Sequence, residues 1–320
     1  MKTIGVLTSG GDAPGMNAAV RAVVRTAIAL GMNVKGISRG YNGLIEGDIV
    51  DLNARDVSDI INRGGTFLYT ARSPKFKTKE GVAEAAENCR KLGIEGIAVI
   101  GGDGSFRGAR DLSEMGIPCV GIPATIDNDI SCTDYAIGFD TAMNTAIDMV
   151  DRIRDTAQSH DRCSVVEVMG RHAGHLALEA GIAVGATAII VPEIEQPVEK
   201  VIEKIRKTQR ETGKKHFIVM VAEGVGGVEE MAKTIEAATG IETRATILGH
   251  VQRGGNPTVR DRVIATQLGY YAVQLLSQGI GNRVVAWKKE EVVDYDIFEA
   301  LNMKKELDCK LLKVAKTTAI

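Results

Sequence analysis

Three acidic residues stand at a spacing that suits metal-assisted phosphoryl transfer. Asp127 and Asp129 lie one residue apart in the segment 123–129, PATIDND, and Asp103 lies upstream in the glycine turn 101–105, GGDGS. One carboxylate would accept a hydroxyl proton while the others hold a metal. An isolated DxD is more often a turn or helix cap. Here the pair follows a strand-like apolar run, so its carboxylates should reach the same crevice as Asp103. Three acids so close would repel one another unless Mg²⁺ and a polyphosphate were bound.

Two glycine turns of similar sequence each follow a predicted strand. The first, 8–17, reads TSGGDAPGMN and lacks the GxxxxGK[ST] spacing of a Walker A loop. Its glycines still allow the backbone to approach an anion, and the following helix directs free N–H groups toward it. A tight strand-to-helix turn without a ligand is the alternative for both turns. Asp103 in the second turn favours a metal-phosphate site, because turning alone does not require an acidic side chain.

Basic residues cluster beside glycine-rich loops farther along the chain. Arg162 precedes a predicted strand, the segment 169–175, MGRHAGH, follows it, and the segment 249–255, GHVQRGG, follows another turn. Guanidinium groups bind phosphate through paired hydrogen bonds, so this clustering predicts a phosphate site. A solvated surface role for each arginine, and a core role for the histidine of GHVQRGG, are the alternatives. The HxxH spacing of His172 and His175 does not by itself make a zinc site.

Composition limits the remaining classes of function. The chain has 320 residues, of which 44% are hydrophobic and 25% charged, and its net charge is −2. These values predict one large or two medium folded domains, with no electrostatic basis for binding nucleic acid or an anionic membrane. No apolar run reaches the length of a signal peptide or a membrane span, so a cytoplasmic protein is expected. The five cysteines form no CxxC pair and are expected to be buried thiols.

Short β-branched runs alternate with helical patterns, which predicts βα units on a mostly parallel sheet. Strands are predicted at 3–7, 34–38, 96–100, 119–122, 164–168, 187–191, 217–221 and 283–287. Helices are predicted at 16–30, 79–92, 106–115, 141–156, 198–210, 227–238 and 260–277. Because both glycine turns follow strands, they belong at the carboxyl edge of the sheet, where open α/β sheets bind ligands.

The ordered motifs closely resemble those of the bacterial ATP-dependent 6-phosphofructokinases over essentially the whole chain. They are GGDAPGMN at 10–17, GGDGS at 101–105, PATIDND at 123–129, MGRHAG at 169–174 and LGHVQRGG at 248–255. A lone GGDG also resembles motifs of NAD kinases and lipid kinases, but those families lack the combination of TIDND and GHxQRGG. The resemblance implies an α/β fold of two Rossmann-like, three-layer domains with mostly parallel sheets.

The family resemblance also implies a division of the chain and an assembly. A nucleotide-binding domain would comprise 1–138 plus 252–304, and a sugar-phosphate-binding domain 139–251 plus 305–320. The active protein would be a homotetramer with composite active and effector sites. In this family the equivalents of Arg162 and Arg244 come from a neighbouring subunit.

The reaction implied by the resemblance is transfer of the ATP γ-phosphoryl group to the 1-hydroxyl of fructose 6-phosphate, with Mg²⁺. Asp127 matches the general base, Thr125 and Arg171 match transition-state contacts, and Asp103 and Asp129 match the metal-linked acids. The matched nucleotide contacts are Gly11, Arg72, Gly102, Asp103, Gly104 and Ser105. The matched substrate contacts are Thr125, Asp127, Asp129, Arg162, Met169, Gly170, Arg171, Glu223, Arg244, His250 and Arg253. A nucleotide and sugar-phosphate sensor of the same fold, without turnover, is the alternative, although all three acids are present.

An effector site for ADP or phosphoenolpyruvate between subunits is also implied by the resemblance. The matched positions are Arg21, Arg25, Arg55, Asp59, Arg154, Gly185, Lys214, Lys215 and His216. As isolated features these residues are more typical of solvated helix charges. Thr187 stands where many relatives have a metal-binding Glu, and Thr212 stands where they often have Lys. Loss of an anionic metal ligand and of a cation predicts a weak or altered effector response.

Overall fold

The computed structural model describes residues 1–319, which form two compact units. The first unit comprises Met1–Thr125, Ile130–Thr141 and Arg253–Lys305. The second comprises Ile126–Asp129, Ala142–Gln252 and the segment from Glu306 onward. The chain therefore passes between units at 125/126, 129/130, 141/142, 252/253 and 305/306, whereas the family resemblance implied cuts at 138/139, 251/252 and 304/305. That the first unit binds nucleotide and the second binds sugar phosphate remains a prediction.

Strands and helices alternate through most of the described chain. The strands are β1 (Thr3–Ser9), β2 (Asn33–Ile37), β3 (Ile49–Leu52), β4 (Gly96–Gly101), β5 (Cys119–Pro123), β6 (Cys163–Val168), β7 (Ala188–Ile190), β8 (Phe217–Ala222), β9 (Thr243–Ile247), β10 (Arg283–Lys288) and β11 (Glu291–Asp296). The helices are α1 (Met16–Ala29), α2 (Tyr41–Glu46), α3 (Lys79–Lys91), α4 (Asp103–Glu114), α5 (Phe139–Ser159), α6 (His175–Ala183), α7 (Val198–Thr212), α8 (Val228–Thr239), α9 (Val259–Ser277), α10 (Ile297–Asn302) and α11 (Cys309–Thr318). Two 3₁₀ turns lie at Lys75–Lys77 and Gly249–Arg253.

Each unit is built on its own sheet. The first unit's sheet has the order β11-β10-β5-β4-β1-β2-β3, with antiparallel pairs only at its two outer edges. The second unit's sheet has the order β7-β8-β6-β9, and all of its pairs are parallel. The predicted α/β class with two mostly parallel sheets is confirmed.

The central strands are apolar on both faces because helices cover both faces of each sheet. Every residue of β4 and of β8 is buried. In the first unit, Leu7, Ile97 and Val99 pack in one core cluster with Ala85 of α3 and Leu112 of α4, while α1 and α9 contact the sheet and each other. In the second unit, strands β6 and β8 pack in a core cluster with helices α7 and α8.

Every strand and helix predicted from the sequence is present, with shifted ends. The helix predicted at 106–115 begins earlier, at Asp103, because Gly102 is the single residue between β4 and α4. The sequence did not predict β3, β9 and β11. All three are edge strands with mixed exposure, so they lack the continuous apolar run that marked the central strands.

The five cysteines are free thiols, as expected, but only four of them are buried. Burial raises the pKa of Cys89 to about 12 and of Cys132 to about 11, so these two thiols stay protonated at neutral pH. The expectation of a buried thiol is wrong for Cys309, which lies exposed at the first residue of α11. None of the helices within residues 1–319 has the length and apolar character needed to cross a bilayer.

Asp261 is a fully buried carboxylate that fixes the segment leading into α5. Its Oδ1 accepts hydrogen bonds from Tyr135 Oη at 2.6 Å and Gly138 N at 2.7 Å. Its Oδ2 accepts from Thr141 N at 2.9 Å and Thr141 Oγ1 at 2.5 Å. Burial raises the pKa of Asp261, whereas these four donors favour the charged form.

We expect Asp261→Asn to destabilise the protein by about 2–4 kcal/mol, because an NH₂ group would face two buried donors and leave them unsatisfied. The chemical denaturation midpoint measures the change. Asp148→Asn, at an exposed pair with Arg152, is the matched control and should shift the midpoint little. Equal midpoints for the two variants would contradict this account of Asp261.

Candidate active site

The two glycine turns lie side by side on neighbouring parallel strands of the first unit. Ser9 at the end of β1 is in register with Gly101 at the end of β4, and Ser105 Oγ donates to Ser9 O at 3.0 Å. Helices α1 and α4 begin directly after these turns, so both helix amino ends lie at this carboxyl edge of the sheet. Free N–H groups at the two ends form a surface that suits the phosphates of a nucleotide.

Arg72 is carried by a loop that is anchored to the first glycine turn. Thr8 Oγ1 donates to Tyr69 O at 2.6 Å, and Thr70 Oγ1 donates to Gly10 O at 2.9 Å. Asn17, in the first turn of α1, accepts from Phe67 N at 2.6 Å. Sequence reasoning missed these anchors, although Asn17 is a polar residue at a buried helix position. The exposed Arg72 therefore follows directly after a tethered segment.

Arg253, which the family resemblance matched to a sugar-phosphate contact, lies against the first glycine turn. Its Nη1 donates to Asp12 O at 3.0 Å. A Cβ at position 11 would meet that nitrogen at 2.5 Å, so any side chain there would have to displace the guanidinium. The guanidinium thereby adds a positive charge to the turn predicted to contact nucleotide.

Asp103 is suited to a divalent cation by its chemistry and exposure. It is the first residue of α4, its side chain is 42% exposed, and its Oδ2 accepts from Arg107 Nε at 3.0 Å. No group of three or more His, Cys, Asp or Glu side chains able to hold a metal occurs within residues 1–319. Mg²⁺ commonly takes only one or two protein carboxylates, with water and substrate phosphates completing its shell. Asp103 is therefore a donor of the kind that would hold a divalent cation together with the phosphates of a nucleotide.

The PATIDND segment starts at the same sheet edge. Gly101 is in register with Pro123 of β5, Ala124 N donates to Gly101 O at 3.0 Å, and Thr125 N donates to Ile137 O at 3.0 Å. Asp127 is buried, with 6% of its surface exposed. Asn128 and Asp129 follow it in the short segment that clusters with the second unit.

In the second unit, a tethered loop after β6 carries Met169, Gly170 and Arg171. Met169 N donates to Gln252 Oε1 at 2.9 Å, and Arg171 N donates to Glu223 Oε2 at 3.1 Å. Arg171 has a left-handed backbone, with φ of 59°, which is unusual for a residue with a side chain. These two tethers therefore maintain an unfavourable loop conformation, a feature typical of functional sites.

Gln252, which tethers this loop, is a residue that sequence reasoning missed. It is fully buried, and its Nε2 has no hydrogen-bond partner among the described residues. Its Oε1 is nevertheless the acceptor for Met169 N. Gln252 stands inside the GHVQRGG motif, so its position was flagged, but its role as a tether depends on a contact between segments far apart in sequence.

Arg162 and Arg244 lie at the amino ends of strands in the second unit's sheet, opposite the ends from which the loop with Met169 and Arg171 leaves. Arg162 immediately precedes β6 and Arg244 is near the start of β9, whereas Met169, Glu223 and His250 follow the carboxyl ends of β6, β8 and β9. Strand β6 has six residues and is about 20 Å long. Within one copy of the second unit, the sheet therefore separates the two arginines from His250 by roughly the length of a strand.

His250, His172 and His175 lie at loop or helix ends. His250 and His172 are exposed, and His175 begins α6.

The predicted effector residues are distributed over both units. Arg21, Arg25, Arg55 and Asp59 belong to the first unit, and Arg154, Gly185, Lys214, Lys215 and His216 belong to the second. In the second unit, burial and then the charge of Arg154 lower the pKa of Lys214. Burial, Lys214 and Arg154 likewise lower the pKa of His216. Such mutual repulsion among cations is what a bound anion would relieve.

Comparison with known proteins shows the relationship directly. The sequence profile described as Phosphofructokinase matches residues 3–276. The ATP-dependent 6-phosphofructokinases of Bacillus pumilus and Bacillus subtilis are each 56% identical over 320 residues, covering 100% of both chains. That of Clostridium botulinum is 55% identical over 315 residues, covering 98% of each chain.

Solved structures show the same fold. Phosphofructokinase from Saccharomyces cerevisiae has a TM-score of 0.89 and 36% identity, covering 100% of this chain and 48% of that chain. A pyrophosphate-dependent phosphofructokinase from Marinobacter aquaeolei has a TM-score of 0.85 at 23% identity, covering 97% of this chain and 86% of that one. At that identity the second likeness bears on the fold alone. The chain belongs to the phosphofructokinase family.

Proposed function

We propose that this protein transfers the γ-phosphoryl group of ATP to the 1-hydroxyl of D-fructose 6-phosphate, a committed step of glycolysis. The products are fructose 1,6-bisphosphate and ADP. The observation that carries the proposal is the pair of glycine turns held in register on β1 and β4, with two helix amino ends beside them. The names of the full-length relatives support both the donor and the acceptor.

Within this proposal, Asp127 accepts the proton of the 1-hydroxyl as that oxygen bonds to the γ-phosphorus. The bond from the γ-phosphorus to the bridging oxygen breaks, and ADP leaves with that electron pair. Arg171 and Thr125 stabilise charge on the transferred group, and the glycine turns hold the remaining phosphates. Asp103 and Asp129 would hold Mg²⁺, which supplies charge neutralisation of the phosphates when bound.

The sugar phosphate would be held by residues from two subunits. Met169, Gly170, Arg171, Glu223 and His250 follow the carboxyl ends of strands in the second unit's sheet. Asp127 and Arg253 are further members of the proposed binding set. Arg162 and Arg244 lie at the amino ends of strands in that sheet, which supports their contribution to a neighbour's 6-phosphate site. We therefore propose a homotetramer with composite sites. The free thiols fit a reducing compartment, and a cytoplasmic location is part of the proposal.

The direct test supplies the purified protein with fructose 6-phosphate and MgATP and measures fructose 1,6-bisphosphate. Omission of each substrate and of Mg²⁺ provides the controls. Absence of bisphosphate formation by a folded tetramer would reject the proposal and favour a sensor without turnover.

The donor should be ATP, with negligible use of pyrophosphate. Gly104 is exposed, and a Cβ added there would meet no atom within 4 Å, so substitution should leave the fold intact. We expect Gly104→Asp to raise KM for ATP by about tenfold or more, because its carboxylate would repel the nucleotide phosphates. Gly104→Asn is the uncharged control of equal size and should have a smaller effect. Comparable kcat/KM values for ATP and pyrophosphate in the unmodified protein would overturn the donor assignment.

The effector response should be weak or altered toward ADP and phosphoenolpyruvate. Thr187 is buried, its hydroxyl has no hydrogen-bond partner among residues 1–319, and it lines a cavity of about 270 Å³. We expect Thr187→Glu to strengthen activation by Mg-ADP, because it restores an anionic metal ligand. Thr187→Gln is the uncharged control. Fructose 6-phosphate saturation curves test this, and strong regulation by both ligands that Thr187→Glu leaves unchanged would contradict it.

A further inference from the structure

Glu242 joins the two arginines at the amino edge of the second unit's sheet. Its Oε2 lies 2.8 Å from Arg162 Nε. Its Oε1 accepts from Arg244 Nε at 3.0 Å and from Arg244 Nη2 at 2.6 Å. One carboxylate therefore brings two guanidinium groups of neighbouring strands to a single point. Neither the motifs nor the family resemblance singled out this residue.

The backbone around Glu242 is fixed by the sheet. Cys163 N donates to Glu242 O at 2.9 Å, and Phe217 N donates to Arg162 O at 3.1 Å. Arg162 is the better shielded arginine, with 25% of its side chain exposed, whereas Arg244 is 66% exposed. The sheet thus fixes the backbone positions of both arginines. The long, exposed side chain of Arg244 is oriented by its hydrogen bonds to Glu242.

The charges of the three groups are balanced in a particular way. The guanidinium groups of Arg162 and then of Arg244 beside Glu242 lower its pKa, which keeps its carboxylate ionised at neutral pH. The cluster therefore carries one net positive charge. The contacts with Glu242 use Nε of Arg162, and Nε and Nη2 of Arg244, so they leave the Nη atoms of Arg162 and Nη1 of Arg244 to other partners.

We propose that Glu242 is a positioning residue for the 6-phosphate of the substrate. It holds the Arg162 and Arg244 guanidiniums together so that their remaining N–H groups converge on a phosphate dianion bound at a neighbouring subunit. This inference rests on the proposed function. A carboxylate that merely neutralised the arginines would weaken phosphate binding, so its removal would strengthen that binding. The positioning role predicts the opposite effect: removal of Glu242 weakens phosphate binding.

The test compares Glu242→Ala and Glu242→Gln with the unmodified protein. Glu242→Ala should raise KM for fructose 6-phosphate about tenfold, because two rotamer-rich arginines must then be ordered at binding. Glu242→Gln retains one acceptor oxygen and should give a smaller rise. KM for ATP and kcat should change less than about twofold, since the nucleotide contacts are untouched. Glu230→Ala, at an exposed pair with Lys233 in the same unit, is the matched control.

A double-mutant cycle separates positioning from a general structural effect. With both Arg162 and Arg244 replaced by Ala, the further change Glu242→Ala should have no additional effect on KM for fructose 6-phosphate. A lower KM in Glu242→Ala, an unchanged KM, or a loss that persists without the arginines would each overturn the inference. If the unmodified protein makes no bisphosphate, or the arginine variants keep their KM, the proposed function or its shared phosphate site fails instead.

Discussion

Replacement of Asp127 by serine should lower kcat by about 10²–10⁴-fold, which is the usual loss when a general base is removed. Both substrates should still bind, because most of the proposed nucleotide and sugar-phosphate contacts are made by residues other than Asp127. Asp127 is buried, and serine, which is smaller than aspartate, fits there without overpacking. Steady-state kinetics in both substrates measure the effect, and the thermal midpoint checks the fold.

Asp148→Asn serves as the control for Asp127→Ser, because Asp148 forms an exposed pair with Arg152 outside the predicted site. It should keep near-native kcat. A near-native kcat in Asp127→Ser itself would remove this residue from the proposed chemistry, whatever the state of the other acids.

Loss of either Arg162 or Arg244 should raise KM for fructose 6-phosphate by about 10–100-fold, because hydrogen bonds to a charged group contribute about 1.5–3 kcal/mol each. KM for ATP should change far less. The separation of these arginines from His250 along the sheet predicts that they act on a neighbour's substrate. Initial rates over a matrix of both substrate concentrations distinguish the two KM values.

Mixed tetramers test the sharing directly. Subunits carrying Arg162→Ala retain Asp127, and subunits carrying Asp127→Ser retain Arg162, so some interfaces in a hybrid would combine both intact halves. Such hybrids should be more active than either parent variant. If verified hybrid tetramers show only the parents' activity, the two groups act within one chain and the shared site is wrong.

Local patterns in the chain were sufficient for its class and its family. The apolar runs of β4 and β8 predicted strands at these positions, and the order of GGDG, TIDND and GHxQRGG identified the family. Local pattern failed at the edge strands β3, β9 and β11, whose exposed residues resemble those of loops. It also failed at Cys309, because burial of one side chain depends on what packs over it.

Contacts between distant segments decided the arrangement of the candidate site. The Arg253 guanidinium reaches Asp12 across 241 positions of sequence, and Gln252 accepts from Met169 across 83. Glu242 is an unremarkable acid in the sequence and becomes the link between Arg162 and Arg244 only when β6 and β9 pair. The sequence alone determined which groups the protein has for phosphoryl transfer. Strand pairing and register decided which of them meet, because a side chain's partners depend on three-dimensional proximity that no local spacing specifies.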